Sequence, residues 1–287
     1  MIDLYLELKG VSKNFPEFKL NNINLSLPKG YIMGLAGPNG AGKTTTIQLI
    51  LNMLEKDAGE ILVFGKDNVQ NDNTIKQNIG VVFDSIFYVD NWTVKDAEKA
   101  VSIFYEDWKQ DVFNEMIKRF ELPKGKKVKE LSRGMQMKLM LACAFSHNAK
   151  LLILDEPTSG LDPVTRDEFL EILQEYIKDG ERSVLFSTHI TTDLERVADY
   201  VTLVNQGNLI YTGSMDDLLG SYRLIKGRPR DITAELENSL VGIRKTDMGF
   251  EGLIRANEVD KYRDCIIDNA TIDDIIINVS KKRGDIK

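Results

Sequence analysis

The stretch "YIMGLAGPNGAGKTT" (residues 31–45) carries the strongest fold signal in the chain. It opens as an apolar run of strand length, and the residues from Lys43 to about Leu54 carry apolar side chains at helical spacing. Between them, "GPNGAGKT" (residues 37–44) fits the pattern G-x-x-x-x-G-K-[ST]. In a strand–loop–helix unit of this kind the glycines leave backbone N–H groups free to converge on phosphate oxygens. The helix N-terminus adds a favourable dipole. Gly37, Pro38, Asn39, Gly40, Ala41, Gly42, Lys43, Thr44 and Thr45 are therefore expected to cradle a nucleotide's phosphates. Lys43 would reach the β- and γ-phosphates, and Thr44 would give its hydroxyl to Mg²⁺.

A second stretch, "LLILDEPTSGLD" (residues 151–162), runs four apolar residues into two adjacent acids, Asp155 and Glu156. The apolar run reads as a strand buried on both faces of a sheet. Carboxylates at its end are costly unless a metal ion or a reacting water partners them. In P-loop folds an acid at the end of a buried strand assists Mg²⁺, a role that falls to Asp155. Glu156, one residue on, points differently and is placed to orient or deprotonate an attacking water.

The chain has 287 residues, 43% apolar and 28% charged, which fits one large domain plus a small appendage. A net charge of -7 disfavours a nucleic-acid partner, and the lysine run "KGKKVK" (residues 124–129) reads as a solvated loop. No run approaches the roughly 20 apolar residues of a membrane span, and "MIDLYLELKG" at the start is an alternating strand without targeting character. Cys143 and Cys265 stand far apart, with neither disulfide nor zinc spacing, which is cytoplasmic usage. Two histidines, His147 and His189, are too few for a histidine-based metal site.

"LYLEL" and "INLSL" alternate as strands, and "EILVFG" and "IGVVF" are short strands. "TVKDAEKAVSIFYEDW" (residues 93–108) reads as a helix with Thr93 and Asp96 in a capping box. "QDVFNEMIKRFEL" follows, then "SRGMQMKLMLACAF" with Ser132 as N-cap. The "LLIL" strand, a helix over residues 163–179 stopped by Gly180, the strand "SVLFS", the helix "TDLERVA" and a hairpin complete the pattern. Such alternation implies an α/β fold with a largely parallel sheet covered on both faces. From Ser221 the order restarts as strand, helix, strand and helix, so residues 1–220 are expected to form the main domain and 221–287 a small α/β appendage.

With "GPNGAGKTT", "LSRGMQ" (residues 131–136), "LLILDEP", "SGLD" (residues 159–162) and "STH" (residues 187–189) in this order, the chain resembles the ATP-binding subunit of an ABC transporter. The resemblance covers residues 4 to about 220. It implies a P-loop NTPase fold with a RecA-like core, an antiparallel β region and an inserted helical subdomain at about 85–147. It also implies ATP and Mg²⁺ as cofactors, and two cassettes closing head to tail, as a homodimer or with a paralogous second ATPase subunit. Both would sit on an integral membrane permease at the inner face of the cell membrane. Ser132 and Gly134 would touch the γ-phosphate on the partner cassette. His189 would contact the γ-phosphate and support the water at Glu156, and Phe15 would stack on adenine.

Two departures from the family pattern stand out. Arg133 and Met135 replace a glycine and the glutamine of the signature, and Arg133 reads as a solvated side chain or an extra phosphate contact. Asp84 stands where the family has a glutamine that touches Mg²⁺ or the water, and is expected at the metal with a cationic or water partner. "LSRGM", Asp84 and the appendage together resemble a Gram-positive branch of ABC-2-type exporters that includes phenol-soluble-modulin and antimicrobial-peptide systems. A soluble ABC ATPase acting on ribosomes or DNA usually has tandem cassettes or a long coiled coil, and neither is visible here. A nucleotide-gated module with weak hydrolysis fits poorly with Lys43, Asp155, Glu156 and His189 all in place.

Overall fold

The computed structural model describes residues 3–262 and 264–284, so the last three residues of the expected appendage lie outside it. The chain divides into two compact units between Leu209 and Ile210.

Ten strands form one sheet, and the first nine of them lie within the first unit. The strands in chain order are β1 (Leu4–Asn14), β2 (Lys19–Pro28), β3 (Ile32–Ala36), β4 (Ala58–Val63), β5 (Lys66–Asp67), β6 (Ile79–Val82), β7 (Leu151–Leu154), β8 (Ser183–Thr188), β9 (Tyr200–Asn205) and β10 (Asn208–Ser214). They lie in the order β5-β4-β1-β2-β10-β9-β3-β8-β7-β6. Strands β9, β3, β8, β7 and β6 pair in parallel, while β1, β2, β4 and β5 pair antiparallel. The composition of each half explains the split. Every residue of β3, β7 and β8 is buried, as a parallel strand covered on both faces requires. In β2, buried Leu20, Ile23, Leu25 and Leu27 are interleaved with exposed or half-buried residues, which suits a sheet with one solvated face.

Helices α1 (Lys43–Ile50), α2 (Asp72–Lys76), α3 (Val94–Ser102), α4 (Gln110–Arg119), α5 (Arg133–Ser146), α6 (Pro163–Ile177) and α7 (Thr191–Val197) complete this unit. Three of them, α3 to α5, fall between β6 and β7 as an all-helical insertion. Leu8, Leu25, Met33, Leu35, Ile153 and Leu185 from the strands meet Ile47 and Ile50 of α1 in one buried cluster. Each side chain fully buried in this way contributes roughly 1.5–3 kcal/mol.

The helix after Lys43 ends at Ile50, four residues before the expected stop, because Asn52 takes a left-handed conformation (φ 52°). The capping box of α3 forms as expected, with Thr93 Oγ1 accepting from the Asp96 N–H and Asp96 Oδ2 accepting from the Thr93 N–H. That helix stops at Ser102 where residues 93–108 were expected to be helical. Beyond it Tyr105 turns inward and stacks on His147, with ring centroids 3.7 Å apart. His147 is buried, and that burial pushes its pKa down to about 4, so it is a neutral packing residue.

In the second unit β11 (Tyr222–Gly227), β12 (Gly242–Thr246), β13 (Gly249–Arg255) and β14 (Ile266–Asn269) form an antiparallel sheet in the order β12-β13-β11-β14. Ile225, Phe250 and Ile254 from this sheet pack with Leu236 and Leu240, at and just beyond the helix Ala234–Ser239. The sequence discloses β11 and β13 but not β12 or β14. Those two edge strands bury no residue and so carry no alternating signal. Among the described residues no helix is long and apolar enough to cross a membrane.

Candidate nucleotide site

The glycine-rich loop and the three polar segments expected at the site follow the C-terminal ends of parallel strands. The glycine loop follows β3, Asp84 follows β6, Asp155 and Glu156 follow β7, and His189 follows β8. This is the edge at which open α/β sheets bind ligands.

Gly37 could carry no side chain, since a Cβ there would lie 2.1 Å from the backbone oxygen of Val204. Gly42 is the N-cap of α1 at φ 108°, and a Cβ on it would meet Leu20 Cδ1 at 2.7 Å and the Phe18 ring at 3.0 Å. Pro38, Asn39 and Gly40 are exposed, Ala41 is buried, and Thr44 is exposed with Thr45 half-buried beside it. In contrast to α3, α5 and α6, whose N-caps are filled by Thr93, Ser132 and Asp162, α1 has no side-chain cap and no acid in its first turn. Its first N–H groups are left for an anion.

Lys43 is almost wholly buried and its ammonium donates to the backbone oxygens of Gly37 (2.8 Å) and Pro38 (3.3 Å). It also pairs with Glu156 Oε1 at 2.9 Å. The other oxygen of Glu156 lies 2.7 Å from His189 Nδ1. Glu156 has left-handed backbone angles (φ 48°), which costs a side-chain-bearing residue about 1–2 kcal/mol. Asp155 is buried, its Oδ1 accepting from Ser187 Oγ at 2.6 Å, and the same Ser187 Oγ accepts from the Glu156 N–H at 2.8 Å.

Ser187 thus serves both acids, a role that sequence reading did not assign although "STH" contained it. Sequence reading also missed Thr158, whose buried hydroxyl donates to Asp193 Oδ2 at 2.6 Å. Burial pushes the Asp193 carboxyl up, and the Thr158 hydrogen bond partly opposes the shift. Their contact ties the turn after Glu156 to α7.

The remaining expected residues are placed around this cluster. Phe15 is 38% exposed and its ring packs 6.2 Å from Phe18, the residue that closes over Gly42. Ser132 caps α5 by accepting from the Met135 N–H, and Gly134 faces the Thr165 side chain. Asp84 has a cationic partner, and that cation is Arg133: Nη2 lies 2.5 Å from Asp84 Oδ1. Arg133 Nε also donates to the backbone oxygen of Ser159 at 2.6 Å, and Arg133 and Asp84, both departures from the family pattern, are bonded to each other.

Among the described residues no cluster of three or more acids, histidines or cysteines could hold a metal ion alone. Mg²⁺ is ordinarily bound by one or two protein oxygens and completed by substrate phosphates and water. The exposed Thr44 hydroxyl and the Asp155 carboxylate fit that requirement, as the uncapped α1 and Lys43 fit the phosphates.

A family model described as "ABC transporter" matches residues 20–159. The ABC transporter ATP-binding protein YtrB of Bacillus subtilis (strain 168) is 32% identical over 218 residues, covering 76% of this chain and 74% of that protein. The chain belongs to the ATP-binding subunits of ABC transporters. This ATP-binding subunit is also 30% identical to the lantibiotic transport ATP-binding protein SrtF of Streptococcus pyogenes, over 78% of its own length and 99% of that protein. A solved structure described as the ATP binding subunit of an ABC transporter superposes with a TM-score of 0.68 at 26% identity, covering 75% of this chain and 91% of that one. The subunit binds ATP with Mg²⁺ and hydrolyses it, on the P-loop NTPase fold expected from its sequence.

Proposed function

We propose that this subunit powers a separate membrane permease that exports peptides or other amphipathic compounds, working as a homodimer or with a paralogous second ATPase subunit. The observation that carries the hydrolytic part is the Lys43–Glu156–His189 cluster at the open end of the glycine loop. Phosphate arriving at α1 competes with Glu156 for the Lys43 ammonium. Once released, the carboxylate is the base that takes a proton from the attacking water, with His189 on its other oxygen. The loop residues 37–45 hold the phosphates, with Thr44 and Asp155 at Mg²⁺. Asp84 joins them while its Oδ1 stays paired with Arg133. Phe15 takes the adenine, and Ser132 and Gly134 face the γ-phosphate of the partner cassette. Charge stabilisation at the metal is the chemistry that Mg²⁺ supplies when bound.

The permease reading draws on an apolar groove of about 370 Å³ between the sheet and the helical insertion, lined in part by Met53, Phe83, Phe87, Tyr105 and Met140. Phe87 is 69% exposed and Met53 53%, and Phe83 and Phe87 meet edge to face at 4.9 Å. Aromatic and methionine side chains left in water beside a groove mark a docking face for an apolar partner. The occupant proposed is a cytoplasmic helix of the permease, which would hold the subunit at the inner face of the cell membrane. Export of peptides draws on the similarity to SrtF and to the bacitracin transport ATP-binding protein BcrA of Bacillus licheniformis.

Purified from detergent-solubilised membranes, the tagged subunit should bring down one membrane-spanning protein in stoichiometric amount. Phe87→Glu, which sets an unpaired charge in the groove, should reduce that recovery by about tenfold or more. It should leave the ATPase rate of the isolated subunit within about twofold, since a surface substitution away from the site is nearly neutral. Undiminished recovery with Phe87→Glu would remove the permease from this face.

A further inference from the structure

The turn that carries Glu156 is anchored at three points. At its start, the Glu156 N–H donates to Ser187 Oγ, and in its middle the Thr158 hydroxyl donates to Asp193. At its end, the Ser159 oxygen accepts from Arg133 Nε. Inside the turn the Ser159 N–H donates to the Glu156 oxygen at 3.1 Å, so a displacement of Ser159 is passed to Glu156. The first two anchors come from the strand β8 and the helix α7. The third comes from α5, in the helical insertion.

Arg133 occupies the first position of α5, where a cation opposes the helix dipole. Its placement is compensated by Asp84, whose carboxylate meets Nη2 at 2.5 Å. The aliphatic stem lies along the turn itself, with Cδ 3.2 Å from where a Cβ on Gly160 would sit. One planar guanidinium therefore spans the loop after β6, the start of α5 and the end of the catalytic turn. Two donors in fixed directions do this, and a lysine ammonium would not reproduce the fork. Exposed ion pairs add little to global stability, and Arg133 and Asp84 are 38% and 59% exposed. What the contact changes is local: a glutamate with left-handed backbone angles persists only while its surroundings hold it there.

We propose that Arg133 is a positioning residue for hydrolysis, held by Asp84 and acting through Ser159 to keep the Glu156 turn in its working conformation. The proposal rests on Glu156 as the base. It makes the loop after β6 and the start of the signature helix part of one brace within a single chain. Moving either end would loosen Glu156 without changing the P-loop.

The test is a double-mutant cycle on the purified protein, with Arg133→Ala, Asp84→Ala, the double variant and Arg133→Lys, and Glu156→Gln run in parallel. For each, kcat and KM for ATP and the thermal unfolding midpoint are measured. Arg133→Ala should lower kcat by about tenfold, within the range for residues in one network, with KM within about twofold and the midpoint unchanged. Arg133→Lys should recover only a minor part of that loss. The double variant should fall no further than the worse single one. Wild-type kcat in Arg133→Ala would overturn the proposal. So would a raised KM with kcat kept, which would put Arg133 on a phosphate. Losses that multiply in the double variant, or that follow a lowered midpoint, would overturn it as well. Near-normal turnover in Glu156→Gln would instead remove the base, and that result is separate from the four outcomes above.

Discussion

Glu156→Gln is expected to lower ATP turnover by roughly 10²–10⁴-fold, the usual scale for loss of a general base, while ATP still binds. The amide keeps the volume of the side chain and an oxygen for the Lys43 ammonium, now 2.9 Å from Oε1. It has no basicity with which to take a proton from water. The glycine loop and α1 are untouched, so the phosphate contacts remain. Bound ATP should then accumulate a closed pair of subunits, visible as a shift to larger size on size-exclusion chromatography. Turnover near that of the wild type would move the base elsewhere, with His189, 2.7 Å from Glu156, the next candidate.

Lys43→Ala acts on binding instead. The side chain is 5% exposed and its ammonium engages a carboxylate and two backbone oxygens of the glycine loop, so it is already desolvated. Removing it deletes a charge-assisted donor to the phosphates, a loss of about 1.5–3 kcal/mol, or roughly 10- to 150-fold in ATP affinity. The same truncation leaves Glu156, 15% exposed, without its cation and with only His189 beside it. Equilibrium binding of ATP in the presence of Mg²⁺ measures the effect. Affinity within about twofold of the wild type would take Lys43 off the phosphates.

Both effects were legible in the sequence because the chemistry is concentrated in short, contiguous motifs. A glycine loop between an apolar run and a helix has few other uses, and β7 is fully buried up to the residue before Asp155. What the sequence could not disclose were contacts between motifs. Ser187 joins two acids more than 30 residues away, and Arg133 joins Asp84 and Ser159 across a helical insertion. Read alone, Arg133 looked like a solvated side chain or a phosphate ligand, and Asp84 like a metal oxygen. Only the fold places them at bonding distance. The edge strands β12 and β14 escaped for a different reason, since strands that bury no residue leave no periodic trace.

In the proposed dimer two cassettes complete each hydrolytic site, the glycine loop and Glu156 of one facing Ser132 and Gly134 of the other. The direct measurement is the specific ATPase rate against subunit concentration, from well below to well above the dimer dissociation constant. The expected rate per molecule rises with concentration and then reaches a plateau. A rate per molecule that stays flat down to strictly monomeric subunit would contradict it.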